Sequence, residues 1–317
     1  MRYVFVFGRK LCLSLLCCLS ATGVWAQYDA GFAQYWAVQP FYNPASVGKD
    51  PKLNIIGAYN MSLTGFTHNP KTMYIGADMP VRILKSYHGI GIGIINDQIG
   101  LFRHQNIQAQ FAATIHLFGG DLKIGGQVGL INENFEGSKI DLDDADDPAF
   151  IKSDQTGSSL DLSAGIYYKH RNFYVGASAK HLNSPMVELG EQNQIDIGMS
   201  YYFLGGCNIK TNIPFLSIQP SCILRTDMSA YKADITVRGT YIKDGKRLEA
   251  GVSYSPKTSY TISLGGDFHG INLGYSYEIY TSALKIGNGS HELTLGYQMD
   301  IDMTKKGKNK HKSVRLL

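Results

Sequence analysis

The stretch Tyr231 to Tyr241 reads Y-K-A-D-I-T-V-R-G-T-Y. Tyr231, Ala233, Ile235, Val237, Gly239 and Tyr241 are apolar, small or aromatic, and Lys232, Asp234, Thr236, Arg238 and Thr240 between them are polar or charged. A period of two belongs to a strand with one wet and one apolar face. A strand of about 9 to 11 residues with aromatics at its ends also fits the crossing of an outer membrane. Recurrence of this pattern along the chain predicts an all-β fold, a transmembrane antiparallel β-barrel.

The pattern recurs. Strands are predicted over Lys52 to Asn60, Lys71 to Pro80, Gly89 to Asp97, Gln105 to Leu117, Asp121 to Asn132, Ser159 to Lys169 and Asn172 to Leu182. Seven more follow over Gln194 to Phe203, Ile213 to Arg225, Ala230 to Tyr241, Arg247 to Tyr254, Ser259 to His269, Ile271 to Tyr280 and His291 to Ile301. About 14 strands, an even number, is what a bacterial barrel requires. In the eighth, Ile195, Ile197, Met199, Tyr201 and Phe203 form the expected apolar face against Asp196, Gly198, Ser200 and Tyr202. If the first strand starts in the periplasm, the periplasmic connections include Phe118 to Gly120, His170-Arg171, Lys243 to Gly245 and the join at Gly270, all short. The longest connection, Glu133 to Ser158, falls on the extracellular side. A soluble antiparallel sandwich gives no reason for this sorting of loop lengths.

Residues 1–26 carry Arg2, Arg9 and Lys10, an apolar core from Leu11 to Leu19 and the small-residue site Val24-Trp25-Ala26, as expected of a secretory signal. The expected organisation is then a signal at 1–26, an N-terminal periplasmic or plug segment at 27–50, a barrel at 51–302 and a basic periplasmic tail at 303–317. No stretch after the signal is apolar for long enough to cross as a helix, so a membrane form must be a closed barrel. Of five cysteines only Cys207 and Cys222 lie beyond the signal; Cys222 falls on an apolar face and Cys207 in a turn, so both are expected to be unpaired thiols. The formal charge of +4 is local: it rests on the signal and on Lys305, Lys306, Lys308, Lys310, Lys312 and Arg315, and the body between is acidic. Nucleic-acid binding is not expected of such a chain.

The segment from Gln27 to Gly48 is not strand-like. Its Phe32, Tyr35, Trp36, Phe41 and Tyr42 are costly to leave in water, which predicts a plug folded into the barrel or its mouth. Inward positions including Lys180, Asp196, Arg225, Lys232, Asp234, Arg238, Arg247, Glu249, Asp267 and Glu278 carry both signs, a lattice able to fill a barrel or to line a polar path. The long outer loop carries Asp141, Asp143, Asp144, Asp146 and Asp147, a solvated acidic loop or one that docks a basic partner; the spacing lacks the glycine and distal glutamate of an EF-hand, so no metal is expected. No spacing selects a partner for His88, His104, His116, His170, His181, His269 or His291. No catalytic residue and no cofactor are expected.

Phe32-Ala33-Gln34-Tyr35, then Tyr42-Asn43-Pro44-Ala45 and Gly48, follow directly after the signal. Pro70-Lys71-Thr72, Asp78-Met79-Pro80, Asp147-Pro148-Ala149-Phe150, Phe173-Tyr174-Val175-Gly176, His181-Leu182 and His291-Glu292-Leu293 come after them in order. On these residues the chain resembles the PorP/SprF family of outer-membrane proteins of the type IX secretion system of Bacteroidetes. Where the family usually has an arginine and a Gln-Trp pair after the first strand, this sequence has Asn60 to Phe66. The resemblance implies a non-enzymatic barrel of a secretion or gliding machine. It would meet periplasmic and lipoprotein components, outer-membrane lipid, and adhesins or other cargo bearing C-terminal sorting domains. Contact is expected through Phe32, Gln34, Tyr35, Asn43, Pro44, Ala45 and Gly48 and through the periplasmic rim. The alternative is a channel for a small hydrophobic substrate, similar to the long-chain fatty-acid transporters, which would need an apolar pocket and a lateral opening.

Overall fold

The computed structural model describes residues 29–83, 86–139, 153–190, 193–281 and 287–301. The strands are β1 (Lys52–Met61), β2 (Lys71–Ile83), β3 (Ser86–Ile99), β4 (Phe102–Leu117), β5 (Gly120–Phe135), β6 (Gln155–Lys169), β7 (Phe173–Lys180), β8 (Met186–Leu189) and β9 (Asn193–Asp196). They continue with β10 (Ser200–Cys207), β11 (Ile209–Lys210), β12 (Leu216–Thr226), β13 (Tyr231–Lys243), β14 (Lys246–Ser255), β15 (Ser259–Phe268), β16 (Ile271–Tyr280) and β17 (Ser290–Asp300). Among the described residues fourteen of these form a closed antiparallel barrel. Neighbours in sequence are neighbours in space, β1 pairs with β17 from Lys52↔Asp300 to Met61↔His291, β7 pairs with β10 across the excluded hairpin β8–β9, and β10 pairs with β12 past the short β11. The two-residue β11 extends the pairing of β12 at one rim.

The deciding stretch is now β13, and its faces are sorted opposite to those of a soluble protein. Ile235 (51 % exposed), Val237 (47 %) and Tyr241 (39 %) face outward, and Asp234, Thr236, Arg238 and Thr240 are buried inside. The same parity runs through β4 and β5: Ile107, Phe111, Ile124, Val128 and Leu130 are exposed, and Asn106, Gln108, Gln110, Lys123, Gln127 and Glu133 are buried. An apolar outside with a hydrogen-bonded polar inside is stable when lipid surrounds the barrel.

The rim where β1 begins and β17 ends is called proximal, the opposite rim distal. Proximal turns are tight at 118–119, 244–245 and 269–270, and the long connections 136–154 and 181–199 are distal. The sorting is not strict. Residues 100–101 make a two-residue distal turn, and the proximal connection 208–215 accommodates β11.

Two expectations are corrected. The strand over Gln194 to Phe203 is two elements, β9, which pairs with β8 in a separate hairpin, and β10, which starts at Ser200 and reaches Cys207. Ile197 bonds through its N–H to Pro185 O, and Ile197 and Val187 bury against the inward-facing Ile131 of β5, with Ile195 packed on the cluster. The apolar residues of this half-stretch thus cap the lumen instead of facing lipid, and Asp196 is exposed on the hairpin, not a lumen residue. Cys207 closes a strand where a turn was expected; both it and Cys222 are free thiols. The acidic loop residues Asp141, Asp143, Asp144, Asp146 and Asp147, the signal and the basic tail lie outside the described residues.

Candidate functional site: the plug and its lumen

Residues 29–50 run down the inside of the barrel before β1 starts. Local chemistry shapes the segment. Pro40 opens the short helix α1 (Gln39–Tyr42), and Asn43 stops it and starts the 3-10 turn Pro44–Ser46. Asn43 Oδ1 accepts from Ala45 N at 2.9 Å, and Ser46 Oγ donates to Asn43 O at 2.8 Å. An asparagine before a proline suits this position: its side chain caps the turn, and the proline sets the backbone angle without needing a hydrogen bond. Asn43 also uses its amide nitrogen, donating to Ile166 O at 2.9 Å and to Ala177 O at 3.3 Å. One residue therefore builds the turn and ties it to the wall.

The wall admits the turn because side chains are missing there. A Cβ on Gly125 would lie 2.4 Å from Ala45 N, and one on Gly165 would lie 2.2 Å from Asn43 Oδ1. Plug backbone thus lies directly on barrel backbone at β5, and the Asn43 side chain lies on bare backbone at β6. Gly48, in the left-handed region at φ 58°, turns the chain out toward β1, and its N–H donates to Asp78 Oδ2 at 2.7 Å.

Above the turn, Phe32, Phe41, Tyr42, Tyr74 and Tyr202 form a buried aromatic cluster, with Phe32 and Phe41 edge to face at 5.2 Å and Phe41 against Tyr74 at 5.5 Å. The Phe32 N–H donates to Tyr42 Oη at 2.7 Å, and the Tyr35 and Ser221 hydroxyls bond at 2.8 Å.

Charged contacts fix both ends. At the distal end Asp29 meets Lys180 Nζ at 2.9 Å and His181 Nε2 at 3.3 Å and accepts from the Tyr202 hydroxyl. His181 Nδ1 lies 2.8 Å from Asp161. Burial alone would raise the Asp29 carboxyl, but Lys180 and His181 outweigh it and hold it well below the usual carboxylate range. Burial would likewise lower His181, just beyond β7, yet Asp29 and Asp161 push it up to about 9, so it is a cation at neutral pH. At the proximal end Lys169 Nζ holds Lys49 O at 3.1 Å and Asp50 at 2.6 Å, and Lys123 Nζ donates to Gly48 O at 2.9 Å.

The other half of the lumen holds the plug by side chains. Glu292 on β17 accepts from Ala33 N at 2.6 Å and from Gln34 N at 2.8 Å. Arg225, paired with Asp234, lies against Gly31. Arg238 sits over the Trp36 ring at 4.4 Å and bonds Glu249, which also holds Arg247. Between the plug and this wall a cavity of about 280 Å³ is lined by Gln34, Trp36, Asp50, Arg238, Arg247 and Glu249 among others.

The sequence-predicted residues Phe32, Gln34, Tyr35, Asn43, Pro44 and Ala45 are all buried in the plug, with Gly48 at its exit. They are brought together as one inserted segment and present no free face to a second protein. Sequence reasoning missed Asp29 and the role of Glu292 as the carboxylate that grips the plug. His291-Glu292-Leu293 marked the position, but its partners are at the other end of the chain.

A sequence profile for the type IX secretion system membrane protein PorP/SprF matches residues 24–297. The chain belongs to the PorP/SprF family. The match spans both the plug and the barrel, and with the outward apolar and inward polar parity it makes the protein an integral outer-membrane β-barrel. A search of curated protein sequences found no match. Among solved structures, the chain is similar to the Ralstonia pickettii toluene transporter TbuX, at 12% identity over 88% of this chain and 96% of that one, TM-score 0.48. It is also similar to the Pseudomonas putida toluene transporter TodX, at 10% identity over 86% and 95%, TM-score 0.48. A third is the Acinetobacter baumannii outer membrane protein Omp33, at 8% identity over 80% and 100%, TM-score 0.43.

Proposed function

We propose that this PorP/SprF protein is a non-enzymatic, plug-closed component of the type IX secretion or gliding machinery that supports export or surface anchoring of cargo with C-terminal sorting domains. It works by contact at its rims and not as the conduit for cargo. The observation that carries this reading is the seating of the plug. Close packing on the bare backbone of Gly125 and Gly165, ionic anchors at Asp29 and Asp50 and the Glu292 grip hold it along its length, and the space beside it is too small for a polypeptide. With the plug buried, the surfaces left for periplasmic or lipoprotein components are the proximal turns, and those left for cargo are the distal loops.

The alternative, carriage of a small hydrophobic substrate, needs an apolar pocket. The cavity beside the plug is instead lined by Lys49, Asp50, Asp78, Arg238, Arg247 and Glu249, whose desolvation would oppose an apolar ligand.

The test is purification from outer membrane in mild detergent, tagged away from both ends, with mass spectrometry of what accompanies the barrel. Recovery of secretion or gliding components, or of a large adhesin with a C-terminal sorting domain, is the expected result. A barrel recovered alone with a lipid-like molecule in its lumen would overturn the reading in favour of transport.

A further inference from the structure

The plug leaves two gaps, and both lie against the same wall. The proximal cavity of about 280 Å³ reaches Arg238 on β13, Glu249 on β14, Ser263 on β15 and Gly274 on β16. A distal cavity of about 20 Å³ reaches Asp234, Ser253, Thr261 and Glu278 on the same four strands. Inward-facing residues on a strand are two apart, so very little separates the cavities: Thr236 on β13, Gly251 on β14 and Ser276 on β16, while Thr261 and Ser263 are consecutive inward positions on β15. One such step is about 7 Å.

The partition is also polar and incompletely bonded. Ser276 Oγ is buried without a hydrogen-bond partner, and so is the amide nitrogen of Gln34, which lines the proximal cavity. Buried polar groups of this kind are satisfied by water, and the distal cavity exceeds the roughly 15 Å³ that one water needs. What closes the step is the plug itself, drawn onto the wall by Glu292 through Ala33 N and Gln34 N; Ala33 lines the distal cavity and Gln34 the proximal one.

We infer that the seam between the plug and β13–β17 is a narrow water-filled path for small hydrated ions, with the Glu292 grip as its constriction. Its wall suits that solute. Arg238, Arg247, Glu249, Asp234, Lys232 and Glu278 offer both signs at close spacing, which replaces part of a hydration shell and repels apolar molecules. The inference rests on how the plug is seated and is independent of the secretion reading.

The experiment is single-channel recording of the purified full-length protein in planar bilayers in potassium chloride. The wild type is expected to give a small, steady conductance, Glu292→Ala a several-fold larger one, and Ser276→Phe, which fills the step, a value below wild type. A disulfide separates this path from departure of the plug. A Cβ on Gly91 would lie 2.7 Å from Val47 Cγ1, the place a cysteine sulfur would take, so Val47→Cys with Gly91→Cys can lock the plug once Cys207 and Cys222 are serine. Conductance that persists in the oxidised protein supports the seam. Loss of conductance on oxidation, a folded Glu292→Ala barrel that conducts like the wild type, or a folded Ser276→Phe barrel that does so, would each overturn it.

Discussion

The two halves of the lumen hold the same plug in different ways. Along β3, β5 and β6 the wall gives up its side chains at Gly89, Gly91, Gly125 and Gly165, where the plug lies on bare backbone, and its lysines Lys123 and Lys169 reach the plug at the proximal exit, from Gly48 to Asp50. Along β12–β17 the wall keeps long charged side chains and reaches out to the plug with Arg225, Arg238 and Glu292. Backbone contact is short-ranged and intolerant of added volume, and an ionic reach is adjustable and leaves gaps between its contact points. The first half fixes where the plug sits, and the second leaves room beside it.

The largest effect should come from filling the bare half. Gly125→Val would place branched carbons where a single Cβ already meets Ala45 N at 2.4 Å, against backbone that cannot rotate away. The cost is at least the roughly 3 kcal/mol upper range of core overpacking, so the plug is expected to become protease-sensitive while the strands remain protected. Equal plug protection in this variant and the wild type would mean that the two halves do not differ as argued.

Next comes a pH effect at the distal anchor. His181 is raised to about 9 in the folded protein from an ordinary value near 6.5, so the stability it contributes is fully present below about 6.5 and is lost as pH rises through about 9. The expected result is a fall in the urea midpoint between those values, of the order of 3 kcal/mol in stability, that disappears in His181→Gln. Asp29 acts with the opposite sign: its lowered value gives stability present above the ordinary carboxylate range and lost in strong acid.

On the ionic half, Arg238→Ala removes the cation over Trp36 and one of two partners of Glu249. A loss of about 1–2 kcal/mol is expected, with the plug still protected, because the bare half continues to seat it. The smallest effect should be outside the lumen. Lys52→Ala breaks the exposed 3.6 Å pair with Asp300 and should change stability by less than about 0.5 kcal/mol, which calibrates the other measurements.

The sequence made one of these halves easier to see than the other. Alternation in β13 showed the barrel because lipid outside and polar partners inside impose a strict period of two. Asn43-Pro44-Ala45 showed the plug turn because the capping is local. The Asp29–Lys180–His181 cluster was hidden because Asp29 and Lys180 are 151 residues apart, and no local pattern records such a pairing. The β8–β9 hairpin was misread because the alternation of Ile195 and Ile197 runs across Gly198 into Met199 without a change of period. The usable signal was in β5: Ile131 has inward parity between Gly129 and Glu133, and an apolar residue facing a polar lumen needs something apolar to cover it.

The grip of Glu292 on Ala33 spans 259 residues, nearly the whole described chain, and lies on the closing pair itself, where Glu292 of β17 stands opposite Asn60 of β1. A contact so distant in sequence carries the greatest loop-closure cost and is the last that a growing chain can make. Until β17 arrives, Ala33 and Gln34 have no acceptor for their amides and the barrel has two open edges; both deficits end in the same event. Closure of the barrel and final seating of the plug are therefore one step in assembly, and a barrel that closed with its plug outside would leave the Glu292 carboxylate facing an open lumen, with its 3.4 Å contact to Asn60 in place of two backbone amides.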